Sequence, residues 1–144
     1  MGKPAYLLDV NVLVALVEPE HVHHQIATDW FGAPDLDWGL CAFTEAGFLR
    51  VATNPKAGGH SVAESTQVLS SLTHHSGYRF WSISAGWEII AAPLEERVFG
   101  HQQITDAWLL GLAIQENGVL VTFDKAIKFL AGKKYASNVL VLGS

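Results

Sequence analysis

Asp9 in YLLDVN, Glu45 in AFTEAG, Asp106 in QITDAW and Asp124 in VTFDKA each stand at the seam between an apolar, strand-like run and a helix-like run. Seams of that kind gather at the carboxyl edge of a parallel sheet, so acids far apart in sequence can converge there in one cleft. Two carboxylates about 4 Å apart repel by roughly 4 kcal/mol at an effective dielectric near 20. A cluster of such acids therefore needs protons or a divalent cation. With oxygen ligands alone, the cation expected is Mg2+ or Mn2+ rather than zinc. The chemistry that fits is phosphodiester hydrolysis: the ion binds the scissile phosphate, lowers the pKa of an attacking water and stabilises the leaving oxygen.

The elements that must position these acids alternate along the chain. Residues 5–8 read as a short strand ending at Asp9, and 12–17 either extend it or open a helix, with Asn11 as the break. Residues 20–31 read as a surface helix with Val22, Ile26 and Trp30 on one stripe and Gly32 as its stop. A second strand over 38–42 leads into a helix over 44–53, with Glu45 in its first turn. After a loop marked by Asn54-Pro55 and Gly58-Gly59, the capping box Ser61 to Glu64 starts a helix running to about Thr73. Residues 78–83 read as a strand, and Ser84 caps a short helix that Pro93 stops or kinks. The strongest helix covers 103–117, carries Asp106 in its first turn and is apolar enough all round to be buried. A strand at 119–122, a helix at 125–131 stopped by Gly132 and a strand at 139–142 close the chain. This order implies an α/β fold, a three-layer α/β/α sandwich with a mainly parallel central sheet.

A length of 144 residues with 49% hydrophobic content suits one domain spanning 1–144. The formal net charge of −5 excludes the broadly basic surface of a general nucleic-acid binder, so a nucleic-acid substrate would need local basic residues or a partner subunit. Cys41 is the single cysteine, which removes an intrachain disulfide and the thiolate zinc sites and suits a reducing compartment. Asp9 and Asn11 break the apolar opening, so neither a membrane nor an export signal is read there.

Each acid also has an ordinary structural explanation. Asp124 ahead of KAIKFLAG could be an N-cap, and Glu45 and Asp106 lie in first turns where the helix dipole favours negative charge. Taken singly, capping accounts for Glu45 and Asp124 better than function does, and for Asp106 the two are level. Asp9 differs, because an unpaired carboxylate in YLLDV would cost several kcal/mol. Asn11, Thr44, Thr105 and Thr122 place an amide or hydroxyl within two residues of the acids, where such groups orient carboxylates without adding charge. These are ordinary capping residues too.

The stretches YLLDVNVLVAL, FTEAGFLRVATNP, HQQITDAWLLGLAIQENGVLVTFDKAI and the closing VLVL make the chain resemble PIN-domain ribonucleases, and more narrowly VapC-type toxins of bacterial toxin-antitoxin systems. The likeness covers essentially the whole length, and the ordered set is more specific than D-x-N alone. It implies that Asp9 and Asp106 are the principal metal ligands. Glu45 and Asp124 would be the other acids of the site, holding Mg2+ or Mn2+ directly or through water and orienting the nucleophilic water, with Asn11 and Thr122 supporting them. No acidic position departs from the pattern. The resemblance further implies a cytoplasmic homodimer, a cognate antitoxin whose C-terminal segment enters the cleft, and an RNA substrate such as tRNA, rRNA or mRNA.

Other residues invite weaker readings. On a helix, His21 and His24 would share a face while His23 points away, which argues against a zinc site there. His101 reads as a surface or capping histidine before a phosphate contact, and Arg50 equally as a phosphate contact or an ion-pair partner. Trp30, Trp81, Trp87 and Trp108 suit a core or a dimer interface better than base stacking. Two rival functions remain. An aspartyl phosphatase using Asp9 as nucleophile wants a second acid two residues on, where Asn11 stands. A non-catalytic module would serve mainly to bind an antitoxin-like partner, and DNA through that partner.

Overall fold

The strand β1 (Ala5–Leu8) lies at the centre of a five-stranded sheet, in a computed structural model that describes residues 3–143. On one side it pairs with β2 (Asp37–Leu40), which pairs with β3 (Tyr78–Phe80); on the other it pairs with β4 (Val119–Thr122), which pairs with β5 (Val139–Val141). Every one of these pairings is parallel. The chain first moves outward from β1 to β3, then returns past the centre to β4. The sheet therefore reverses its winding between β1 and β4, the place beyond the carboxyl ends of the strands where open α/β sheets bind ligands.

Side chains on a strand alternate between faces, and the core divides accordingly. Leu7 and Leu120 point into one cluster with Trp81, Leu109, Leu110, Leu112, Ile127 and Leu130. Leu8 and Val121 point into the other with Val12, Leu13, Trp38, Leu40 and Phe48. The second cluster is covered by α1 (Val10–Val17), α2 (His24–Phe31), α3 (Ala42–Thr53) and α4 (Val62–Thr73). The first is covered by α5 (Trp87–Ile90), α6 (Ile104–Gln115) and α7 (Ala126–Ala131). This is the expected three-layer sandwich. Among the described residues no helix is long and apolar enough to cross a membrane.

Several element boundaries differ from the sequence reading for local reasons. The helix after β1 starts at once, because the Asp9 carboxylate accepts from the Val10 amide at 2.7 Å and caps it. Helix α2 begins at His24 rather than near residue 20: the His21 ring Nδ1 accepts from the His23 amide at 3.0 Å, holding 21–23 in a turn. Val22 is consequently 85% exposed and off the stripe of Ile26 and Trp30. Strand β2 stops at Leu40, since Thr44 Oγ1 pairs with both the amide and the carbonyl of Cys41 and opens α3 at Ala42. Strand β3 ends at Phe80, although the Trp81 amide still donates to Leu40 O at 2.8 Å. Gly86, not Ser84, precedes α5, and Pro93 sits at the start of a 3-10 helix, Ala92–Arg97, where a missing N–H costs nothing. Helix α6 ends at Gln115, and Asn117 turns the chain with φ 55°.

Candidate active site

Asp9 ends β1 and Thr122 ends β4, so parallel pairing places them side by side at the switch-point crevice. The Thr122 hydroxyl donates to Asp9 Oδ2 at 2.8 Å and accepts from the Asp124 amide at 3.0 Å. One hydroxyl thus fixes both the buried carboxylate and the backbone carrying a second acid. Burial pushes the Asp9 carboxyl up from its ordinary range. The Thr122 and Val10 hydrogen bonds pull it partly back, and the Asp124 charge raises it again.

Asp106 enters from the first turn of α6 and is half-buried. Its pKa is pushed up to about 6, first by burial and then by the charges of Asp9 and Asp124. Asp124 is exposed, and its Oδ1 accepts from the Ala126 amide at 2.9 Å at the start of α7. Three acids from β1, α6 and the end of β4 therefore lie within reach of one another's fields. Among the described residues none is ion-paired to a cation; the ion pairs seen are His60–Glu18 and Arg79–Glu116.

Glu45 stands apart from this trio electrostatically. It is raised by burial alone, and the group that feels its charge is Tyr78. Thr44, expected to orient it, is spent on the Cys41 backbone. Thr105 is exposed on α6, and Asn11 is exposed on α1, where it lines a cleft rather than the trio. That cleft, of about 770 Å3, runs between α1, α3 and α4 past Val14, Phe48 and Val68 and contains none of the four sequence-singled acids.

The donor chemistry suits a hard divalent cation, being oxygen only, with each Asp9 oxygen retaining lone pairs beyond its one hydrogen bond. The side chains do not yet close on a point: among the described residues no three His, Cys, Asp or Glu groups stand where they could hold one ion. The histidines of 21–24 are otherwise engaged, His24 Nδ1 lying 2.7 Å from Ala15 O. His101 is exposed in a 3-10 turn, and Arg50 makes no ion pair among the described residues. Trp81 is fully buried, while Trp87 and the half-buried Trp108 meet edge to face at 5.7 Å. The sequence reading missed the His23 ring stacked on Phe123 at 4.5 Å, beside Asp124; nothing in the spacing announces that contact.

Comparison with known proteins gives the chain a family. Residues 6–133 match the family profile described as PIN domain. Ribonuclease VapC38 of Mycobacterium tuberculosis is 40% identical over 139 residues, spanning 94% of this chain and 96% of the relative. Ribonuclease VapC44 of the same organism is 39% identical over 127 residues, 87% and 89% of the two chains. Ribonuclease VapC29, also from Mycobacterium tuberculosis, is 38% identical over 129 residues, 88% and 90% of the two.

Proposed function

Because this chain belongs to the PIN-domain family and, within it, to the VapC ribonucleases, we propose that it is a Mg2+- or Mn2+-dependent endoribonuclease acting as the toxin of a toxin-antitoxin pair. The observation that carries this reading is the convergence of Asp9, Asp106 and Asp124 at the β1/β4 switch point with no countercharge among the described residues. In this assignment Asp9 and Asp106 hold the cation, and Asp124 and Glu45 complete the acidic set directly or through water. When bound, the cation polarises the phosphodiester and lowers the pKa of the attacking water.

The chain's own residues do the rest. Thr122 keeps Asp9 turned toward the crevice, and the Val10 amide fixes its other oxygen. Asp106, its pKa pushed up to about 6, would have to be deprotonated to hold the cation. Asp124, exposed and anchored through Ala126, is placed to steer water. The phosphatase alternative is weakened by Asn11, which stands two residues beyond Asp9 where that chemistry wants a second acid and is exposed on α1.

One continuous sheet from Ala5 to Val141 supports treating 1–144 as a single nuclease unit. A homodimer, cytoplasmic action and a cognate antitoxin belong to the same proposal, and an acidic crevice suits an arginine-bearing inhibitor segment. The test is cleavage of total cellular RNA by antitoxin-free protein in Mg2+, Mn2+ or EDTA, with Asp106→Asn as control for contaminating nuclease. Discrete fragments that need metal and vanish in the variant are expected. Equal cleavage by both folded proteins would reject the assignment.

A further inference from the structure

We infer that α7 and the turn following it form a sequence-independent track for the phosphate backbone of single-stranded RNA, leading into the acidic crevice; this rests on the ribonuclease reading. The segment KAIKFLAGKK, residues 125–134, carries Lys125, Lys128, Lys133 and Lys134 and no carboxylate, in a chain of formal net charge −5, which leaves −9 for everything else. All four lysines are exposed, and none forms an ion pair among the described residues. No carboxylate falls within these ten residues, although Asp124 stands just before them and Glu95 and Glu96 precede Arg97 on the neighbouring 3-10 helix.

The fold adds a fifth cation from outside the segment. Arg97 crosses from the 3-10 helix to α7, where its Nη1 donates to Phe129 O at 3.1 Å and its guanidinium lies against Gly132. Gly132 has φ +63°, and a Cβ there would strike the Arg97 side chain. Five of the nine lysines and arginines are thereby gathered on and beside one short helix.

A run of lysines alone is usually a solvated face, but here it is interleaved with aromatic surface. Phe129 is 77% exposed on α7, and Phe99, two residues beyond Arg97, is 86% exposed. Cations that follow a backbone, with open aromatic rings on which bases can stack, are the combination used for single strands without sequence preference. The position fits as well. Lys125 directly follows Asp124, and Lys128 lies one helical turn further on, about 5 Å of rise from the site. A strand held by these cations is delivered to the crevice, which its own charge would otherwise repel.

The test is anisotropy of a fluorescein-labelled oligouridylate in EDTA, where nothing is cut, over a series of salt concentrations. Full-length wild type is compared with the Lys128→Gln/Lys133→Gln/Lys134→Gln variant and with Lys3→Gln/Lys56→Gln as a control that removes lysine charge elsewhere on the surface. The triple variant should bind more weakly, with the slope of log affinity against log salt reduced by about 0.7 for each phosphate left without its lysine. The control should keep the wild-type slope. Phe129→Ala should weaken binding about fivefold or more with an unchanged slope, the mark of a stacking contact. A wild type that does not bind the probe, or a triple variant with the wild-type slope, overturns the inference. So does a triple variant that retains RNA binding but changes its sedimentation, which would make the patch a protein interface. Failure of the ribonuclease reading shows separately, as RNA cleavage that Asp106→Asn does not abolish.

Discussion

Thr122 serves two partners with one hydroxyl, and a substitution can separate its shape from its chemistry. Thr122→Val keeps the volume but leaves the buried Asp9 Oδ2 and the Asp124 amide without their partner. An unsatisfied buried group costs about 1–3 kcal/mol, so a fall of that size in urea unfolding is expected for Thr122→Val and little change for Thr122→Ser. Metal affinity should drop about 10–100-fold in the valine variant, measured by calorimetric titration. Wild-type affinity in Thr122→Val would remove Thr122 from the site. Asp106→Asn tests the neighbouring carboxylate from the opposite side. It keeps the size, deletes one charge facing Asp9 and Asp124, and should abolish cleavage. In the absence of metal it should melt higher than wild type at pH 7 and above, where the Asp106 carboxyl has lost its proton. Near pH 4 that gain should disappear, because with a pKa of about 6 wild-type Asp106 is already neutral there.

Helix α6 delivers Asp106, and its seat depends on Gly111. A Cβ at that position would land on the Ile90 carbonyl oxygen, backbone of α5 that cannot swing aside. Alanine is favoured over glycine in a helix interior by about 1 kcal/mol, but forcing atoms into a packed contact costs typically 1–3 kcal/mol and moves the backbone. Gly111→Ala should therefore lower the melting temperature and, by tilting α6, reduce cleavage more than stability alone explains. A stabilised, fully active variant would show that α5 yields freely. The elements themselves were largely legible: β1 and β4 lie where apolar runs end at Asp9 and Asp124, and α6 was marked by its all-round apolarity. The misplaced boundaries have side-chain causes that periodicity does not carry, such as His21 closing the turn before α2 and Thr44 opening α3 two residues early. The site was legible in part. Three of the acids lie within reach of one another's charge because strand order brings β1 beside β4, a pairing that linear spacing does not encode. Glu45 was grouped with them for its place at a seam; its seam follows β2, one strand away from the switch point, and its charge is felt by Tyr78.

For the whole molecule, the proposed cation would compete with protons for the same acids, and that competition would give stability a particular pH dependence. Asp9, Glu45 and Asp106 all have folded pKa values raised above their unfolded ones. The folded state therefore holds protons that the unfolded chain has released. The stability they contribute is complete below the unfolded value and is lost as pH climbs through the folded one; for Asp106 that window runs from 3.8 to about 6. Glu64 is shifted down by its hydrogen bonds to Ser61 and works in the opposite direction, as does any carboxylate stabilised on the surface. The Asp106 contribution is isolated by subtracting melting temperatures of Asp106→Asn from those of wild type, since both share every other group. Without metal the difference should fall as pH rises from about 4 to about 6 and then level. With Mg2+ the fall should be replaced by a rise, because the cation binds the deprotonated site and ligation stabilises the native state by about 2.7 kcal/mol at a hundredfold excess over its dissociation constant. A metal-induced shift equally large in Asp106→Asn at pH 7 would mean that the cation binds elsewhere on this acidic chain. A metal-free difference that rises from pH 4 to 6 would mean that Asp106 is stabilised as a carboxylate by a cationic neighbour, contrary to the crowding of Asp9, Asp106 and Asp124 at the switch point.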